Sequence, residues 1–141
     1  MIRILELVGA FVILVALPFL LVRRVRPGTD RNVQPEVCVV GGGATWHTGV
    51  VWPYVMSGPI VQLEAYQWGL AVCGGPSRLV GWVVPRVELE WKDIVEIARR
   101  PTGLRIVRAD HPRQSIVFNL MPSSRDDLLG QLSKYPLTIT T

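Results

Sequence analysis

The sequence predicts a mainly β, antiparallel domain carried on one N-terminal membrane helix and closed by one C-terminal helix. Three observations lead there. Residues 4–22, ILELVGAFVILVALPFLLV, hold a single charge, Glu6. Residues 35–120 fall into short apolar runs divided by Gly and Pro about every ten residues, the rhythm of antiparallel strands. Residues 122–136 then change period, from alternation to a helical stripe. With 141 residues the chain has room for one core and a small appendage.

The apolar run comes first. As a helix it reaches about 28 Å, close to the roughly 30 Å hydrocarbon core of a bilayer. A cleaved leader would end in small residues, and FLLVRRVRPG offers no such site. A buried core helix would carry a polar stripe, and none runs from Leu7 to Val22. Residues 1–26 therefore read as a single membrane anchor with a basic collar. Pro18 kinks such a helix without excluding it. Arg23, Arg24 and Arg26 follow the run, whereas only Arg3 precedes it. The positive-inside rule then puts the C-terminal domain in the cytoplasm, under the cell (inner) membrane.

The collar also explains the charge. The formal net charge is +4, yet from Pro35 onward ten basic residues face nine acidic ones. The excess sits beside the anchor, where each cation gains about 1 kcal/mol from anionic headgroups. Membrane, not nucleic acid, is the expected polyanion.

Residues 27–34 read as a polar linker, and 35–141 as the domain. EVCVV ends in GGG, TGVVWPYV ends in SGP, and IVQLEAY, GLAV and RLVGWVV follow as further short runs. Residues 60–72 form a hairpin turning at Gln67-Trp68-Gly69. VELEWKDIVEIARRPTG (87–103) carries two periods at once. The odd positions Val87, Leu89, Trp91, Val95 and Ile97 suit a strand, while Trp91, Ile94, Val95 and Ala98 suit a helix face. A helix there would span only about two turns and leave Ile97 off its face. The expectation is two strands with a bend at Lys92-Asp93-Ile94. Residues 103–120 give a second hairpin with ADHPRQ at its tip. In PSSRDDLLGQLSKYP, Ser123 and Asp126 suit a capping box, Leu128, Leu129, Leu132 and Tyr135 share a face, and Pro136 ends the helix.

In EAYQWGLAV (64–72), VPRVELEWKDIVEI (84–97), GLRIVRADHPRQSIVF (103–118) and SRDDLLGQL (124–132), the chain resembles the pleckstrin-homology-like (PH-like) superfold. In particular it is similar to small membrane-anchored PH-like proteins of bacteria. The resemblance runs from about residue 35 to 136. It implies about seven strands in an antiparallel β-barrel or sandwich, one end plugged by Leu128, Leu129 and Leu132, with Trp91 between wall and helix. The first hairpin lacks the lysines of an inositol-phosphate site, so phosphoinositide binding is not implied.

The chemistry-bearing residues are few. VCVVGGGATW imitates a dinucleotide turn, but Trp46 stands where the third glycine belongs and Pro53 spoils a following helix. The stretch reads as a flexible loop. Cys38 and Cys73 sit among apolar residues and read as buried free thiols, and neither they nor His47 and His111 make a metal pattern. No catalytic residue, cofactor or metal is expected. Arg99, Arg100, Arg105, Arg108 and Arg113 converge from three neighbouring segments, and Trp46, Trp52 and Tyr54 crowd a Gly- and Pro-marked stretch. These eight are the candidate contacts for a partner or lipid, with Arg23, Arg24 and Arg26 as juxtamembrane lipid contacts. The expected function is a non-enzymatic, single-pass membrane protein whose domain binds another protein. The alternatives are sensing of anionic lipid and, more remotely, an enzyme using a Cys–His pair.

Overall fold

The fold comes from a computed structural model, described over residues 2–23, 33–49, 52–75, 84–109 and 113–140, with the side chains of Ile2, Val22 and Arg23 left aside. Collar residues Arg24 and Arg26, His111 and most of the linker and of RLVGWVV lie outside the described residues.

The N-terminal run forms α1 (Ile2–Phe11), a π-helical segment (Val12–Ala16) and α2 (Leu17–Arg23). Its irregularity has a local cause. Pro18 has no N–H to give to the residue four earlier, and the ladder just ahead of it widens to i→i+5 bonding. Over Arg3–Leu21 this helix is long and apolar enough to cross a membrane.

The domain opens with β1 (Val37–Val40) and β2 (Gly43–His47), followed by β3 (Tyr54–Ser57) and β4 (Val61–Ala65). These four are two long strands, each bent in the middle. β1 pairs with β4 and β2 with β3, all antiparallel. Backbone bonds Gly41 N→Val61 O (2.9 Å) and Gly58 N→Gly42 O (2.9 Å) carry the ladder through the corner. Then come β5 (Gly69–Gly74) and β6 (Val87–Glu90), a 3-10 turn (Trp91–Asp93), β7 (Ile94–Arg100), β8 (Gly103–Arg108) and β9 (Ser115–Asn119). A helix, α3 (Pro122–Leu132), and a two-residue strand, β10 (Ile139–Thr140), end the described chain.

Two sheets result, in the orders β1-β4-β5-β6 and β10-β7-β8-β9-β2-β3. The bent strands belong to both. Counted through their bends, seven antiparallel strands enclose the core among the described residues, with β10 added in parallel to β7. The expected closed barrel is not formed. Between β6 and β7 the chain passes through the 3-10 turn instead of a ladder, so the two sheets stay distinct. Trp91 fills that corner. It is buried, its Nε1 donates to the carbonyls of Tyr66 (3.1 Å) and Gln67 (3.0 Å), and its ring stacks on Tyr135 at 4.4 Å.

The ambiguous stretch 87–103 is two strands with a bend. A bulge shifts the register between Ile94 and Glu96, so Ile94 and Ile97 both face the core while Val95 points out. That slip is why neither simple period fitted. The GGG stretch is a corner, not a loop. A Cβ on Gly41 would sit 2.6 Å from the Asn119 carbonyl and 2.6 Å from the Phe118 ring. Gly43 has φ +138°, open to glycine and strained for other residues.

The C-terminal expectation also needs correction. A helix forms, but it does not close the chain alone. After Pro136 the backbone turns back, Ile97 N donates to Thr138 O (3.0 Å), and β10 lies along the edge of β7. Ser123 does not cap the helix. Met121 is the N-cap, without a side-chain bond, and Pro122 begins the first turn, where its missing N–H costs nothing. Leu128 and Leu132 are fully buried in the core with Trp46, Leu63, Ile97, Leu104, Ile106 and Phe118.

Candidate functional site

Three regions carry side chains with something to offer, and the strand register sets them out. Across the six-stranded sheet Ile97, Ile106, Ile116, Trp46 and Tyr54 share one row, all facing the core. The adjacent row, Ala98, Arg105, Val117, Thr45 and Val55, faces outward. Alternation therefore separates the eight expected contact residues. Trp46 (1% exposed) and Tyr54 are core residues and present no surface to a partner. Trp52 alone of the three aromatics stays open, at 41%.

The first region is the end of the domain that meets the N-terminal helix. Phe19 of α2 packs on Tyr54 with ring centroids 5.5 Å apart, and Tyr54 packs in turn on Trp46 at 5.6 Å. Trp52 Nε1 donates to the carbonyl of Leu14 at 2.6 Å. Leu21 closes a cavity of about 30 Å³ lined also by Trp46, Thr48 and Arg108, large enough for one water. The buried Trp46 Nε1 has no hydrogen-bond partner. The last turns of the apolar N-terminal helix are thus part of the domain's packing, which hydropathy could not reveal.

The second region is basic and runs along the outer face of the six-stranded sheet, from Arg100 near the β7–β8 turn to His47 and Arg113 at the helix end. Arg100, Arg105 and Arg113 line a shallow cleft with His47, Ser115 and Val117. Arg105 Nε donates to Ser115 Oγ (3.3 Å), and Arg113 packs so closely on Gly49 that a Cβ there would lie 2.9 Å from its own. Among the described residues no carboxylate pairs with these three arginines. Burial lowers the His47 pKa, and the charges of Arg105 and Arg100 lower it further. The other two expected members stand apart. Arg99 bonds Asp126 of α3 at 3.1 Å, and Arg108 donates to Gln114 Oε1 at 3.2 Å and lines the helix-end cavity. Arg23 lies in α2, and its side chain falls outside the described residues.

The third region is at the opposite end of β2 and β9. A cleft of about 600 Å³ opens between Val40–Gly42, Pro59, Pro101–Thr102 and the start of α3 at Asn119–Pro122. Its walls are largely apolar, and Val40 (55%) and Met121 (76%) stand exposed beside it. No family model, curated protein or solved structure matches this chain. What the clefts bind must be argued from their chemistry.

Two features escaped sequence reasoning because their partners are remote in the chain. On the outer face of the four-stranded sheet, Glu64 and Glu88 are buried around Arg86. Arg86 Nε bonds Glu88 Oε1 at 2.6 Å and Nη1 bonds Glu64 Oε2 at 3.3 Å, while Tyr66 Oη and Gln62 Nε2 donate to Glu64 at 2.5 and 2.7 Å. Burial opposes the charge on Arg86, but the bonds to Glu88 and Tyr66 outweigh it and hold its pKa above the usual value. Burial raises the Tyr66 pKa, and its bond to Glu64 raises it further. The other feature is Arg125, buried on α3, whose Nη1 donates to the carbonyls of Arg100 (2.7 Å) and Pro101 (3.1 Å) and fixes the β7–β8 turn to the helix.

The cysteines are poorly placed for catalysis. Burial, with Glu64 nearby, pushes the Cys73 thiol up to about 12, and its polar neighbour is Gln62. Cys38, expected to be buried, is exposed because strand alternation turns it to the outer face of β1, and partial burial of its thiol with Glu64 nearby raises its pKa as well. A thiol above its usual range holds little thiolate at neutral pH, and thiolate is the nucleophile. Among the described residues no cluster of three or more His, Cys, Asp or Glu is placed to hold a metal ion.

Proposed function

We propose that the chain is a non-enzymatic, single-pass membrane protein whose β domain is a protein-binding scaffold on the cytoplasmic side. The observation that carries this reading is the contrast between the two ends of β2 and β9. The end joined to the anchor carries His47 and Arg113, and the far end opens the apolar cleft beside Val40 and Met121. A partner seated in that far cleft is clear of the bilayer. Cytoplasmic placement rests on the arginines that follow the helix. The PH-like resemblance belongs to the same reading, supported by seven antiparallel strands, a shared bent pair and a following helix with Leu128 and Leu132 in the core.

Photo-crosslinking from position 121 of the full-length protein in native membranes tests the proposal. One discrete adduct is expected, abolished by Val40→Glu inside the cleft and retained by Arg105→Glu outside it. No adduct, or an adduct indifferent to Val40→Glu, removes the scaffold reading.

A specific observation favours a second reading, in which the domain also senses anionic lipid. Arg113, Arg105 and His47 gather at the anchor end, on the side of the domain nearest the membrane that the helix would span. His47 reports on this. In neutral lipid its folded-state pKa lies below the unfolded value of about 6.5. The unfolded chain then binds the extra proton first, so stability falls as pH drops through about 6.5 and recovers above it. An anionic headgroup in the cleft favours imidazolium and reverses the shift. NMR titration in nanodiscs should show the His47 pKa rising from neutral to anionic lipid, with salt suppressing the rise. An unchanged pKa eliminates lipid sensing by this cleft.

A further inference from the structure

The anchor contains a backbone carbonyl that cannot make its α-helical bond. Residue 18 is proline, so the carbonyl of Leu14, four residues earlier, has lost its α-helical donor. In hydrocarbon such a carbonyl must find another partner inside the protein. The structure supplies one across 38 residues of chain, the Trp52 indole, whose Nε1 lies 2.6 Å from Leu14 O. Two further contacts hold this arrangement. Pro18 itself is buried, and Phe19 packs on Tyr54, two residues beyond Trp52.

Depth along the helix gives the bond its meaning. Leu14 lies seven residues before Leu21, the end of the apolar span, or about 10 Å along the axis. If residues 3–21 cross a bilayer, a side chain bonded to the Leu14 carbonyl lies at that depth too. Trp52 suits such a position. Its indole body is apolar, its N–H is engaged, and its remaining surface is 41% exposed with nothing else of the described chain to cover it.

We propose that Trp52 inserts into the bilayer that the anchor spans, where it satisfies the carbonyl freed by Pro18 and holds the β domain flat against the membrane. The partner of this surface is lipid. The inference rests on the reading of the N-terminal helix as a membrane span. It adds that the domain is docked on its own anchor and does not swing freely on the linker. Docking also fixes which side of the domain faces lipid and keeps the Val40–Met121 cleft turned away.

The test uses full-length protein in phosphatidylcholine vesicles, some prepared with lipid brominated along the acyl chain. Bromine quenches only indoles that it can touch. Wild type is expected to lose about a fifth of its emission, the share of one indole among five, and Trp52→Phe to lose almost none. Alkaline carbonate extraction of the same vesicles separates the two ways of failing. Equal quenching of both proteins, with both resisting extraction, overturns Trp52 insertion and leaves the span intact. Release of wild type by carbonate overturns the span and the insertion together. A third arm checks the role of proline. Pro18→Leu returns an amide to the Leu14 carbonyl, and quenching should fall toward the Trp52→Phe level while the protein stays membrane-integral. Quenching undiminished in that variant would separate Trp52 insertion from the freed carbonyl and overturn the capping role.

Discussion

Gly41→Ala is expected to destabilise the domain by about 3 kcal/mol, and Gly42→Ala next to it by less than about 0.5 kcal/mol. The added methyl at 41 would lie 2.6 Å from the Asn119 carbonyl and 2.6 and 2.8 Å from two Phe118 ring carbons. Neither neighbour can give way cheaply. Phe118 is wholly buried, and the Asn119 carbonyl accepts the Gly42 amide at 2.9 Å, a bond that ties the bent strand to β9. Relieving the clash therefore opens the corner where the two sheets share a strand. At Gly42 a methyl would meet nothing within 4 Å. Denaturant unfolding of the two variants in detergent, followed by tryptophan emission, measures the difference. Equal stabilities would mean that the chain does not bend as described at 41–42.

Arg86→Met is expected to cost about 3 kcal/mol at neutral pH. Glu64 and Glu88 stand on one row across β5, both buried, with Arg86 between them as the shared cation. Removing one partner from a buried ionic group leaves charge without compensation, which typically costs 3–5 kcal/mol. The lower end applies because the Arg86 side chain is itself 35% exposed and solvent shares in its work. A second substitution distinguishes this from simple loss of packing. Glu64→Gln in the same background should recover part of the loss, since Gln still accepts from Tyr66. A penalty unmoved by Glu64→Gln would show that Arg86 acts only as bulk.

Both effects concern residues that the sequence did not single out, and the reason is the same in each. GGG looked like a loop because glycine leaves no trace of what lies beside it. Arg86, Glu64 and Glu88 drew no notice in the sequence because nothing local links them. The basic cleft was partly legible: Arg100, Arg105 and Arg113 do come together, while α3 draws Arg99 away through Asp126 and Gln114 holds Arg108. Among the aromatics, strand parity buries Trp46 and Tyr54 and leaves Trp52 in the turn before β3.

The sequence by itself determined what depends on near neighbours. A run of apolar residues, alternation along β8 and β9, turn residues at 67–69 and proline after a leucine stripe all act within a few positions, and each produced the element that it implied. Only the tertiary structure decided where the two sheets part at Trp91, that β10 returns to the edge of β7, that a bulge at Val95 resets the phase of 87–103, and that Trp52 reaches the carbonyl freed by Pro18. The Trp91 corner, the Trp52 contact and the return of β10 arise from pairings across 25, 38 and 42 residues. Such pairings are selected by the fit and desolvation of a whole core, a property of the assembled surfaces that no stretch of chain carries alone.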